Sequence, residues 1–356
     1  MRQYFLFAMI LIVSCSREDI NIPIEPSDEG FISSVDLSSL PQIESTNAVF
    51  YNLSGQEENV LTTLKNSGVN TVRLRIWNNP TNNHSTFEEV KVFSRKIKEI
   101  GLKVWITVHY SDTWADPGNQ ETPLIWQGIS YNAIKDSVST YTKKIVTEIN
   151  PDFIQIGNEI NSGLLFPYGN INDNENQFID LLSTGVQSVR DNSDDIKIII
   201  HYAGIDGSNW FYNKINNLDY DIIGLSYYPI WHGGNLSELK ATLSNLSQTY
   251  NKDILIAETS YPFTLEWNDW TNNVVGLEEH LILPEYPATP QGQKEFIAKI
   301  KELIFSTQRG IGFCYWGGEL VAFNGQEATD GSAWENQALY DFDNKVLPVI
   351  TEFGDE

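Results

Sequence analysis

Positive charge is scarce in this chain: 23 Lys and Arg stand against 47 Asp and Glu, a net charge of −24 over 356 residues. The acids are scattered, not gathered in blocks, so nucleic acid and polyanionic polymers such as uronic-acid chains would be repelled. A neutral ligand is the expectation. Cysteine is nearly absent, and Cys15 and Cys314 have unrelated contexts that make a poor disulfide pair. Cys314 lies inside the apolar run Ile311-Gly312-Phe313-Cys314-Tyr315-Trp316, where a small buried hydrophobe is the expected role. There is no Gly-rich phosphate loop at a strand-to-helix junction and no Gly-x-Ser-x-Gly elbow, so nucleotide cofactors and serine-hydrolase chemistry lack support. No His-x-His or His-Glu-x-x-His spacing is present either. A metal site would have to gather His109, Asp112, His201 and His232 from distant segments.

What is present begins with the apolar stretch from Tyr4 to Val13 behind Arg2, too short to span a bilayer but right for a secretory signal. It ends in Ile12-Val13-Ser14-Cys15, which resembles a bacterial lipobox with Cys15 as the lipidated residue. Residues 1–15 are therefore expected to be a lipoprotein leader, with simple secretion or a periplasmic location as the alternative. Residues 16–30 carry Pro23, Pro26 and several acids without apolar periodicity, and read as a tether from an outer-membrane or cell-surface anchor.

From residue 31 to 356 strand-like and helix-like segments alternate without an internal linker, repeat or low-complexity tract, which predicts one domain. Strands are expected at Phe31 to Leu37, Thr71 to Ile76, Leu102 to His109, Phe153 to Glu159, Ile196 to Tyr202, Ile222 to Tyr227, Asp253 to Thr259 and Ile311 to Trp316. Between them run apolar stripes of helical period, such as Phe87, Val90, Phe93 and Ile97, and Phe178, Leu182, Val186 and Val189. Gly68, Gly101 and Gly310 stand where left-handed helix stops are expected. Eight strands alternating with helices predict an α/β fold, a single (β/α)8 TIM barrel.

Two apolar runs end on an acid, Gln155-Ile156-Gly157-Asn158-Glu159 and Ile254-Leu255-Ile256-Ala257-Glu258. At the C-terminal rim of a barrel, Glu159 and Glu258 would face one another across the mouth, and two carboxylates are the minimum equipment for cleaving a glycosidic bond. A separation of about 5–5.5 Å would imply double displacement with retention. Of the ten tryptophans only Trp105 falls within a strand, and the rest lie at strand ends or after them, as in a cleft lined for pyranose rings. Arg73 and Arg75 share one face of their strand, and the run from His109 through Asp112 and Trp114 to Pro117 crowds polar groups at another strand exit. His109 and His232 are expected to contact sugar hydroxyls or tune a carboxylate, whereas His201 reads as a satisfied core residue. Asn158 could bond a substrate hydroxyl, and a tyrosine near Glu258 could orient an ionised carboxylate.

Taken in order, these segments resemble glycoside hydrolase family 53, the endo-β-1,4-galactanases. The resembling pieces include Gly68 to Trp77, His109 to Pro117, Gln155 to Glu159, Gly224 to Gly233, Glu258-Thr259-Ser260-Tyr261-Pro262, Tyr315-Trp316-Gly317-Gly318 and Trp334-Glu335-Asn336-Gln337-Ala338-Leu339. The resemblance implies Glu159 as acid/base, Glu258 as nucleophile, and Arg75, Asn158, Tyr228 and Trp316 around the sugar being cleaved. It implies a neutral substrate, the β-1,4-galactan (type I arabinogalactan) side chains of pectin cut internally, a monomer, and no required cofactor. Other neutral plant β-glycans (mannan, xylan, β-glucan), or a surface glycan-binding lipoprotein, are the alternatives. Two departures stand out. The loop that binds calcium in some relatives of this type is here Glu266 to Asn273 and keeps only Asp269 and Asn273 in register. Gly317-Gly318 replaces a bulkier segment and is expected to reshape the cleft.

Overall fold

The computed structural model describes residues 30–354. The expected leader, Cys15 and all of the tether except Gly30 lie outside the described residues. Eight parallel strands close into one barrel, each hydrogen-bonded to the next in chain order and the last to the first. They are β1 (Ile32–Asp36), β2 (Thr71–Ile76), β3 (Lys103–Val108), β4 (Phe153–Ile156), β5 (Lys197–Ala203), β6 (Ile222–Ser226), β7 (Asp253–Thr259) and β8 (Gly310–Tyr315). The connecting helices are α1 (Leu40–Ser45), α2 (Val60–Asn66), α3 (Phe87–Glu99), α4 (Tyr131–Glu148), α5 (Glu175–Arg190), α6 (Ser208–Lys214), α7 (Pro229–His232), α8 (Leu236–Tyr250) and α9 (Pro290–Phe305). No helix among the described residues is long and apolar enough to cross a membrane.

The strand alternation sorts side chains into two cores. Val72, Leu74 and Ile76 of β2, Ile154 and Ile156 of β4, and Ile254 and Ile256 of β7 pack outward with the helices. Trp105, Phe153, Ile199, Leu255, Ala257 and Cys314 point inward and fill the barrel, so Cys314 is the buried hydrophobe its sequence context predicts. Helix ends follow local chemistry: Thr86 caps α3 by accepting from Glu89 N, with Glu88 and Glu89 in the first turn and Lys96 and Lys98 in the last.

Two local readings need correction. β4 stops at Ile156, so Glu159 is not a strand residue. Gly157 (φ 81°) and Glu159 (φ 46°) both take left-handed backbone, which swings the chain across the barrel mouth. Near the last strand, Arg309 (φ 61°) provides the left-handed stop expected of Gly310. Gly310 instead opens β8, where a Cβ would stand 1.9 Å from the Ile304 carbonyl oxygen.

Candidate active site

Arg73 is the centre of the mouth. It points inward from β2, fully buried, and joins three strand exits: Nη1 donates to Asp36 Oδ2 at 2.7 Å, and Nη2 to Glu258 Oε1 at 2.7 Å and Asn158 Oδ1 at 2.9 Å. Desolvation of the guanidinium is outweighed by Glu258 and Asp36, so its pKa is held above the ordinary arginine value. The sequence placed Arg73 on the same face as Arg75 but gave it no role.

Glu258 reaches the mouth through a break in the alternation of β7. Leu255 and Ala257 point inward, so a regular strand would send Glu258 outward with Ile254 and Ile256. The register with β6 shifts between Leu225↔Ile256 and Ser226↔Glu258, a bulge that turns the acid inward. There Tyr228 donates its hydroxyl to Oε2 at 3.0 Å, the tyrosine expected beside this acid.

Glu159 faces it from the β4 exit and accepts from Ser226 Oγ at 2.5 Å. One carboxylate oxygen of Glu159 lies within 4.8 Å of one of Glu258. Burial, and then the charge of Glu258, push the Glu159 carboxyl up to about 8. Burial raises Glu258 as well, but Arg73 and Tyr228 counter it, so Glu258 is the first of the pair to ionise.

These groups open into a cavity of ≈ 230 Å³ that also exposes Arg75, His109, Trp114, Asn158, Tyr228 and Trp316. Arg75 is clamped: its Nε donates to Ser85 Oγ at 2.9 Å, and its guanidinium lies 4.8 Å from the Trp77 ring centre and 4.2 Å from that of Trp114. Asn158 commits one amide hydrogen to the Ala115 carbonyl at 2.8 Å and keeps the other for a ligand. His109 forms wall: its Nδ1 accepts from Ala115 N at 3.0 Å, and burial with Arg73 and Arg75 nearby holds its pKa well below the ordinary value. Trp231 and Trp334, two of the tryptophans expected at this rim, also line it, 6.0 Å apart.

Two expected ligand residues are elsewhere. Asp112 holds its own loop, accepting from Asn79 N and Leu124 N at 2.8 Å each, and does not line the cavity. His232 accepts from Tyr228 N at 2.9 Å through Nδ1, so it braces the backbone that carries Tyr228. Gly317 and Gly318 do not themselves line the cavity: a Cβ on Gly317 would stand 2.9 Å from Trp334, which does, and one on Gly318 2.6 Å from Val35. The pair instead leads into Glu319, buried with Oε1 accepting from Ser39 N at 2.7 Å. His201, read as a core residue, lies directly behind Glu159 and Ser226.

Neither possible cation position among the described residues has a complete set of side-chain donors. Glu159, His201 and Glu258 offer donor atoms within 4.8 Å of one another, but Arg73 already neutralises Glu258 and His201 Nε2 is engaged by Ser226. Asp269 Oδ2 and Asn273 Oδ1 in the loop after β7, and Glu335 Oε2 in the segment after β8, are buried without partners, hard oxygens that would suit calcium in kind. Three side-chain oxygens are fewer than the usual six to eight ligands, which backbone carbonyls and water would have to complete. The Trp267 side chain adds no oxygen, and Thr271 Oγ1 is taken by Gly331 N and Ala328 O.

Carboxylates this close on one barrel rim, with one retaining its proton after the other ionises, define a glycoside hydrolase of the double-displacement class. The chain belongs to glycosyl hydrolase family 53, whose model matches residues 32–353. It is 32% identical to an arabinogalactan endo-β-1,4-galactanase of Cellvibrio japonicus, over 91% of this chain and 90% of the relative. Identity is 30% to an endo-β-1,4-galactanase of Bacillus subtilis, over 93% and 87%. Among solved structures, the family 53 catalytic domain of Ignisphaera aggregans matches with a TM-score of 0.86 and 34% identity, covering 93% of this chain and 97% of that one.

Proposed function

We propose that the protein is an endo-acting β-1,4-galactanase that cleaves galactan and type I arabinogalactan internally with retention, Glu258 being the nucleophile and Glu159 the acid/base. The observation that carries the mechanism is that carboxylate oxygens of Glu159 and Glu258 come within 4.8 Å of one another, compatible with the roughly 5–5.5 Å carboxyl spacing of retaining enzymes and short of the roughly 6.5–9.5 Å of inverting ones. The substrate rests on family membership and on the galactanase names of the relatives.

Glu258 attacks the anomeric carbon while Glu159 gives its proton to the departing glycosidic oxygen, leaving a galactosyl ester on Glu258. Glu159, now ionised, takes a proton from water. The water oxygen displaces the ester and restores the starting anomer. Arg73 and Tyr228 hold Glu258 ionised and aimed. The free amide hydrogen of Asn158 bonds a hydroxyl of the sugar under attack. Trp316 and Trp114 stack against rings on one flank, with Arg75 fixed between Trp77 and Trp114. Trp231 from the β6 exit serves the other flank, as an internally cut chain requires. The site is complete within one chain, so a monomer suffices. No step uses a cation, and Asp269 and Asn273 are read as loop-bracing residues. Lipidation at Cys15 and display at the outer membrane or cell surface rest on the lipobox-like Ile12-Val13-Ser14-Cys15 alone.

The test is hydrolysis of a panel of plant polysaccharides. Potato-type galactan should release oligosaccharides of mixed length, with mannan, xylan and β-glucan left intact. Activity confined to a polymer other than galactan would refute the substrate.

A further inference from the structure

Behind Glu159 a line of buried side chains crosses three strands: Gln155 on β4, His201 on β5 and Ser226 on β6, each with essentially no exposure. Gln155 Nε2 lies 2.9 Å from His201 Nδ1, His201 Nε2 lies 2.8 Å from Ser226 Oγ, and Ser226 Oγ lies 2.5 Å from Glu159 Oε1. An amide nitrogen only donates, and among the three acceptors facing the two hydrogens of Gln155 Nε2, with Gly157 O and Asn158 Oδ1 each at 3.0 Å, His201 Nδ1 is the nearest; Nδ1 is therefore assigned as acceptor and the imidazole proton to Nε2. That N–H then points at Ser226 Oγ and leaves the serine hydrogen for Glu159. The opposite tautomer would use the longer 3.2 Å contact from Nδ1 to Asn158 Oδ1, an oxygen already taken by Arg73 and Gln155.

We propose that Gln155, His201 and Ser226 form a one-way chain of donors that positions Glu159 and favours its ionised form, making His201 and Ser226 positioning residues. The proposal rests on the acid/base reading of Glu159 given above. The chain answers a specific difficulty. The same carboxyl must carry a proton in the first half of the cycle and surrender it before the second, yet it is buried. Of the charged and titratable groups facing it, Glu258 and Asp116 oppose ionisation, Arg73 favours it, and burial keeps the Tyr228 hydroxyl protonated. Once the sugar is esterified to Glu258 that charge is gone, and the serine donor stabilises the carboxylate that must now deprotonate water. His201 cannot reverse the chain by gaining a proton, because burial and the nearby Arg73 hold its pKa well below the ordinary value.

The experiment is the pH profile of kcat/KM on galactan for Ser226→Ala, His201→Phe, the double variant and Glu159→Gln, with melting temperatures recorded for each. Loss of the donor destabilises ionised Glu159, so the alkaline limb of Ser226→Ala should move up by about one pH unit. His201→Phe should move it in the same direction by less, and the double variant no further than Ser226→Ala, because the two act through one hydrogen bond. A limb that stays in place or moves down, while Glu159→Gln still abolishes hydrolysis, overturns the donor chain and leaves the acid/base reading standing. Hydrolysis surviving in Glu159→Gln overturns that reading itself. Should Ser226→Ala fail to fold, His201→Phe reads the same limb: an upward shift supports the donor chain, and an unmoved or lowered limb overturns it.

Discussion

Arg73 shows how much one side chain can decide and how little of that a sequence reveals. Its planar fork reaches Asp36, Asn158 and Glu258 at once, which a lysine ammonium on a flexible stem cannot do. Arg73→Lys should therefore fold but lose about 10²-fold in kcat with KM little changed, because the nucleophile loses its aim while the sugar-binding walls remain. Steady-state kinetics on galactan check this, and a wild-type kcat would remove Arg73 from the mechanism. The carboxylates themselves were legible because each ends an apolar run. The histidines were not, for a physical reason. Chains leaving β3 and β6 turn sharply, and their backbone N–H groups need acceptors. His109 and His232 meet that need at Ala115 and Tyr228, so neither ring has its Nδ1 free for a sugar. Nothing in the one-dimensional pattern separates an imidazole that braces backbone from one that binds ligand.

Among the elements, the strands and helices were readable because inside and outside differ in polarity, and their ends were not. Short apolar runs set between helical stripes located all eight strands, since both faces of each are buried. The bulge in β7 left no such trace: Ile254-Leu255-Ile256-Ala257-Glu258 reads as unbroken strand, yet only the extra residue turns Glu258 inward. Ala257 is small where it must be, since a Cβ on the neighbouring Gly224 would already stand 3.1 Å from its methyl group. Ala257→Val should consequently cost about 1–3 kcal/mol by overpacking, and it should lower kcat because the bulge that aims Glu258 has to shift. Thermal melting and kinetics on one preparation test this. A variant with unchanged melting temperature and kcat would show that the bulge does not depend on that packing. The exit of β4 was missed similarly, because left-handed backbone at Glu159 is set by the chain's path across the mouth and not by its own side-chain preference.

Over the whole molecule, net charge and local charge differ in size but agree on the ligand. The surface is strongly acidic, with −24 over the chain. Inside the mouth, burial pushes the Glu159 carboxyl up to about 8, and burial raises Glu319, which lies outside the cavity lining, in the same direction. Apart from Glu159, the lining sets Arg73 and Arg75 against Asp36, Asp116 and Glu258, a small acidic excess that suits an uncharged sugar chain and gives no purchase to an anionic one. The barrel as a whole was legible from the alternation of segments, and the clustering of tryptophans on one rim held in part: Trp114, Trp231, Trp316 and Trp334 line the cavity, whereas Trp126, Trp210, Trp267 and Trp270 do not. The central claim is that Glu159 and Glu258 act on one galactosidic bond by two displacements, each inverting the anomeric carbon. Proton NMR of the reducing ends first released from β-1,4-galactan tests it most directly. The account predicts that the β anomer appears first and converts to α only by mutarotation, whereas initial release of the α anomer would contradict it.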